Sequence, residues 1–108
     1  MVDIFPALVL VKNRFSDPDV KEKFKDTVKK VQFEFTDTKE QYLLSIENGT
    51  ANLAKEAVNT PDVLVTTTTD ILAGIMNKKV NPVIAYSTRK IKVKGTMEDL
   101  LKLQKLLM

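Results

Sequence analysis

The sequence predicts an α+β fold, a five-stranded sheet with one apolar face, covered on that face by about five helices. Three observations carry this expectation. Apolar residues alternate at period two in Val31-Phe33-Phe35 and Tyr42-Leu44-Ile46. They recur at helical spacing in Ile71-Leu72-Ile75-Met76. Short turn signals separate the patterned segments, with no internal repeat or low-complexity stretch. Residues 1–108, 44% hydrophobic, are therefore expected to form a single domain that removes about two-thirds of its unfolded surface from water.

From the N-terminus, Met1 to Phe15 reads as a helix carrying Ile4, Phe5, Leu8 and Val11, with Asp3 as cap and Pro6 in the first turn. The β-branched Val9 and Val11 leave a strand open as the alternative. Ser16-Asp17-Pro18 makes a turn. A second helix is expected from Asp17 or Asp19 to about Lys30, with Val20, Phe24, Thr27, Val28 and Val31 on one face. Three antiparallel strands follow: Val31 to Phe35, Tyr42 to Ile46, and Thr50 to Ala54 after an Asn48-Gly49 hairpin turn. Lys55 to Pro61 reads as a loop or a poorly ordered turn.

The second half changes period three times. Val63, Val65 and Thr67 form a fourth strand and Ile71 to Met76 a short helix. Asn81-Pro82 starts another, because asparagine caps well and proline suits the first helical position. In the fifth strand Ile91 and Val93 point inward, alternating with Lys90, Lys92 and Lys94. Gly95 ends it. Thr96 then caps a last helix that opens with Glu98 and Asp99 in the positive first turn.

The chemistry available is narrow. There is no cysteine and no histidine, so thiolate catalysis, disulfides and the usual metal ligands and proton shuttles are excluded. Ser16, Ser45 and Ser87 have no activating base beyond a surface pairing of Ser87 with Lys90, and Gly49, Gly74 and Gly95 are too scattered for a phosphate loop. Asp37, Glu40, Glu47, Asp62 and Asp70 sit at turns and helix starts, where capping is the better reading. No enzyme activity, cofactor or metal is expected. No apolar run approaches the roughly 20 residues of a membrane span.

Between Ile71 and Met97 stand six cations, Lys78, Lys79, Arg89, Lys90, Lys92 and Lys94, and no acid. Alternating lysines solvate a strand and discourage edge pairing. The functional alternative is a docking surface for anionic headgroups, a membrane surface or acyl-CoA phosphates at Lys78, Lys79, Arg89 and Lys90. Nucleic acid is not expected, since no aromatic or arginine-rich pattern accompanies the lysines. The last helix is also more apolar than one sheet face requires: Met97, Leu100, Leu101, Leu103, Leu106, Leu107 and Met108. A thick core, an apolar ligand and a second subunit all answer to that surplus.

The block from Asn48-Gly49 through Asp62-Val63-Leu64-Val65-Thr66, then Lys79-Val80-Asn81-Pro82 and Lys90-Ile91-Lys92-Val93-Lys94-Gly95, in that order and spacing, resembles the lipid-transfer domain of the sterol carrier protein 2 family. The family commonly has a glycine just before the lysine of the last strand, where this chain has Arg89. The resemblance implies a sheet of order 3-2-1-4-5 with the first and fourth strands parallel. It also implies an apolar tunnel between sheet and helices for a fatty acid, fatty acyl-CoA, phospholipid or sterol-like ligand. By that analogy Phe33, Phe35, Ile75, Met76, Ile84, Tyr86, Leu100, Leu103 and Leu107 face the tunnel, with Tyr86 as the polar handle. The rival expectation is a homodimeric interaction or regulatory module of the same fold with a filled core, joined through Leu100 to Met108. A third is a partner domain serving a separate enzyme. Family members imported into peroxisomes often end in a small-basic-leucine tripeptide; this chain ends Leu106-Leu107-Met108, so cytoplasm is the expected compartment.

Overall fold

Val28–Phe35 forms β1, the strand on which the sheet is built. Its neighbours are β2 (Gln41–Glu47), antiparallel, and β4 (Val63–Thr67), parallel. Outside these lie β3 (Thr50–Ala54) beside β2 and the three-residue β5 (Lys92–Lys94) beside β4, giving the order β3-β2-β1-β4-β5. The helices are α1 (Phe5–Asn13), α2 (Pro18–Phe24), α3 (Thr69–Met76), α4 (Pro82–Ser87) and α5 (Met97–Leu107), with a 3₁₀ turn at Arg14–Ser16. The computed structural model describes residues 4–107, without the side chains of Lys105 and Leu107. The predicted cap at Asp3 lies outside the described residues. The α+β class, the five helices and the strand order agree with the sequence-based expectation.

Register explains the two faces. Val31 pairs with Leu44 and Val63, and Phe33 with Tyr42 and Val65, so these side chains share the inner face of the pleat. All are buried. Ile4 just before α1, Leu8 and Val11 of α1, Leu72, Ile75 and Met76 of α3, and Leu103 and Leu106 of α5 close over them in one core. Asn48 and Gly49 carry the β2–β3 turn, both at positive φ (50° and 84°), as their hairpin signal requires. The outer face is not bare. Gln32, buried there, donates to the carbonyls of Tyr42 (3.1 Å) and Glu56 (2.9 Å) and accepts from Val58 N–H (2.9 Å). The segment expected to be a loop or poorly ordered turn at Lys55 to Pro61 is thus fastened across the sheet by one amide.

One boundary moved. The helix expected to run to Lys30 ends at Phe24, where Thr27 N–H turns back to Phe24 O (3.0 Å). Val28, Lys29 and Lys30 enter β1 instead, pairing with Glu47, Ile46 and Ser45. Lysine is a good helix former, but the strand completes a ladder with β2, so tertiary pairing overrides local propensity.

Asp37, in the β1–β2 turn, accepts from the Thr69 hydroxyl and from Thr69 N–H (3.2 Å) and so supports the start of α3. Those bonds, the hydroxyl first, hold its carboxyl below its usual value near 3.8. A depressed carboxyl adds stability above the unfolded value and loses it as pH falls through the folded one. The melting-temperature gap between wild type and Asp37→Asn should therefore be full near neutrality and shrink below about pH 4. A gap that stays constant down to strongly acid pH would contradict this role.

Candidate functional site

Helix α4 begins where it must. Asn81 accepts from Val83 N–H (2.8 Å) and Ile84 N–H (3.3 Å), and Pro82 occupies the first turn. It is brought close to α3 because Gly74 has no side chain: a Cβ there would stand 2.6 Å from Val80 Cγ2. Gly74 O accepts from the N–H groups of Lys79 and Val80 (2.8 and 3.1 Å).

Both helices end in the same motif. In α3, Lys79 N–H returns to Gly74 O and Lys78 N–H to Ile75 O; in α4, Lys90 N–H returns to Ala85 O (2.8 Å) and Arg89 N–H to Tyr86 O (3.2 Å). These are Schellman closures, which place one residue in the left-handed region, usually glycine. Here Lys78 (φ 61°) and Arg89 (φ 63°) occupy that place. The turn at Arg89 therefore keeps the glycine geometry without the glycine. Relief of that strain exceeds the gain in unfolded-chain entropy, so Arg89→Gly should raise unfolding free energy by about 0.5 kcal/mol in urea titration. A destabilised variant would show that the guanidinium holds the helix end more than its backbone strains it.

Asp99 N–H meets the Thr96 hydroxyl (3.2 Å), capping the first turn of α5, and the buried Asp99 carboxylate pairs with Lys29 Nζ (3.5 Å). Lys102 donates to Thr27 Oγ1 (3.2 Å) and lies over the Phe24 ring. Leu103 and Leu106 reach the core. Between α4, β5 and α5 a cavity of about 240 Å³ remains, partly open to solvent. Its walls are Pro82, Val83 and Tyr86 of α4, Ile91 and Val93 beside or in β5, and Met97, Leu100, Leu101, Leu103 and Gln104 of α5. Apart from the Tyr86 hydroxyl and the Gln104 amide, those side chains are apolar. Such a wall can hold a nonpolar chain by excluding water, at about 0.8 kcal/mol per buried CH₂.

A family model described as the SCP-2 sterol transfer family matches residues 9–108. The chain belongs to the SCP-2 sterol transfer family. No curated protein sequence matches it. Among solved structures, the sec-alkylsulfatase Pisa1 from Pseudomonas sp. is similar at 22% identity with TM-score 0.67; the match covers 81% of this chain and 13% of that one. The chain thus spans about an eighth of that enzyme's length. Palmitated SCP2L2 from Aedes aegypti is similar at 18% identity and TM-score 0.68, covering 94% of this chain and 90% of that one. Sterol carrier protein 2 from Yarrowia lipolytica, in its apo form, is similar at 19% identity and TM-score 0.68, covering 99% and 93%. At these identities the three share the sterol carrier fold with this chain.

Within this member of the family, the expected ligand-facing residues part company. Tyr86, Leu100 and Leu103 come together in the cavity wall. Phe33, Phe35, Ile75 and Met76 do not: they are buried in the main core, the two phenylalanine rings stacked at 6.5 Å and Phe35 edge-on to Tyr42 at 6.2 Å. Ile84 points into solvent and is absent from the wall. The side chain of Leu107 lies outside the described residues. The wall also includes Pro82, Val83, Ile91, Val93, Met97, Leu101 and Gln104, which the resemblance does not imply. The sequence signals four of them: the alternation of β5 turns Ile91 and Val93 inward, and Met97 and Leu101 belong to the apolar surplus of the last helix.

Among the described residues no group of three or more acidic, histidine or cysteine side chains stands together. None of their helices is long and apolar enough to cross a membrane.

Proposed function

We propose that this sterol carrier domain binds the apolar part of a lipid in the cavity between α4, β5 and α5, and passes that lipid on without chemistry. The observation that carries the reading is the wall itself: ten residues, all but two of their side chains nonpolar, around about 240 Å³ still open at one side. That volume is just under the roughly 300–1,000 Å³ of common ligand pockets, so the cavity suits part of a hydrocarbon chain, with the remainder at the mouth. The palmitated form of the mosquito relative supports a fatty acyl ligand by analogy. Tyr86 and Gln104 are the polar groups placed to meet an oxygen of the ligand. Residues 1–108 act as one unit in this reading, and no catalytic residue is assigned.

The test is uptake of a fluorescent fatty acid by Leu100→Glu, with Leu100→Met as the volume-matched control. Leu100 is only partly buried, so the domain should tolerate the change. A carboxylate in the wall should weaken binding by on the order of thirtyfold, while the methionine variant binds normally. Undiminished uptake by a folded Leu100→Glu protein would place the ligand elsewhere. A ligand-free dimer dissociated by Leu101→Arg would favour the interaction module instead.

A further inference from the structure

We propose that the cavity is a short blind slot: it takes one acyl chain, methyl end first, buries about ten of its carbons, and shuts out the fused rings of a sterol. The inference rests on the lipid-binding reading and adds to it a length, a direction and a shape.

The depth of the slot follows from which wall residues meet solvent. Val83, Tyr86, Met97 and Leu101 are about half exposed or more, Met97 at 72%, and they form the mouth. Ile91 and Leu103 are only 3% and 4% exposed and belong both to the wall and to the main core, so they form the floor. The core beyond that floor is filled. Phe33, Phe35 and Leu72 are fully buried, the two rings stacked at 6.5 Å, and Ile75 and Met76 pack in the same cluster. A tunnel of the kind the family resemblance implies would have to pass through these side chains, and a close-packed interior admits added carbons only by strain.

Volume then sets the length. An apolar cavity of roughly 150 Å³ is enough for benzene, so one of about 240 Å³ admits on the order of ten carbons. The fused rings of a sterol exceed that before its side chain is counted, and a second acyl chain exceeds it too. A flexible chain adapts to the slot, whereas a rigid ring system would have to lift α5 from its anchor at Leu103.

Polarity sets the direction. The side chains of Ile91 and Leu103 hold no polar atom, so an oxygen carried to the floor would lose its water without gaining a partner. Tyr86 and Gln104, both exposed, place the polar side-chain groups of the wall toward the mouth. The methyl end therefore goes in and the oxygen end stays out.

The experiment is displacement of a bound fluorescent fatty acid by saturated acids of about 6 to about 16 carbons, and by their methyl esters, below micelle-forming concentrations. Affinity should climb about fourfold with each methylene up to about ten carbons, then gain less than about twofold for each one added. Both series should break at the same length, and the tighter one identifies the form carried. Cholesterol offered from cyclodextrin should leave the probe in place. Ile91→Ala deepens the floor and should move the break out by about three carbons, the number it removes. Val93→Phe fills the slot from a partly buried position and should move the break in by about as much. Should Ile91→Ala fail to fold, Val93→Phe decides alone. Affinity still climbing at the initial rate among the longest acids, displacement by cholesterol, or an unmoved break in a folded variant would overturn the slot while leaving lipid binding intact. A protein that binds neither the probe nor an acid of any length would remove the lipid-binding reading itself, and the slot with it.

Discussion

Gln32→Leu should cost about 3 kcal/mol of unfolding free energy, although leucine is nearly the same size and the site is almost fully buried. Three hydrogen bonds converge on this one side chain, two donated to carbonyls and one accepted from Val58 N–H. Removing it leaves a backbone donor and two acceptors under the loop. Each unpaired buried group costs about 1–3 kcal/mol, and the outer ones, being near water, recover part of it. Urea titration reads the total. Hydrogen exchange at Val58 separates this mechanism from general loosening: its amide should lose protection far more than those of β1. Gln32→Glu should be milder, since it keeps the acceptor for Val58. If Gln32→Leu unfolds at the wild-type midpoint, the loop is held by something other than the amide.

Leu106→Ala is expected to be comparably severe, at about 3 kcal/mol, within the range found for fully buried leucines. Leu103 and Leu106 are the two leucines by which α5 enters the core. Its other ties are few: the buried Asp99 carboxylate pairs with Lys29, and Lys102 reaches Thr27 and lies over the Phe24 ring. The loss should fall on α5 first, so its amides exchange faster than those of the sheet. Fatty acid release should also quicken, because four of the cavity's wall residues beyond Leu103 belong to α5. Leu101→Ala removes the same atoms from an exposed position and should cost well under 1 kcal/mol. Equal effects from the two variants would show that α5 is not anchored as described.

The sheet could be read from the sequence because alternation is a local property. Val31, Phe33 and Phe35 had to share a face whatever their neighbours. The end of α2 could not, since Val28 to Lys30 join β1 only because Glu47, Ile46 and Ser45 stand opposite. The cavity was less legible than the sheet. Phe33 and Leu100 are equally hydrophobic, and what separates them is distance from the place where α4 and α5 diverge over β5. Ile84 fell to the solvent side because α4 has only six residues, one of which, Ala85, is buried. Arg89 departs from the family's glycine, yet its turn is kept because a Schellman closure constrains backbone bonds rather than side-chain identity.

The parallel pairing of β1 with β4 also sets a timetable. β1, β2 and β3 follow one another through tight turns and can zip together locally, whereas Val31 meets Val63 only after the whole meander has formed. Helix α5, tied to Thr27 by Lys102 across 75 residues, closes the longest loop and belongs at the end of the sequence of events. A refolding chain should therefore pass its barrier with the meander built and α5 still adrift, giving φ-values high at Leu44 and near zero at Leu106. In that half-made state the wall of the cavity is missing along one side, and the nascent chain offers its nonpolar surface most openly. On the proposed function, assembly and first loading with a hydrophobic guest would then be one process in time.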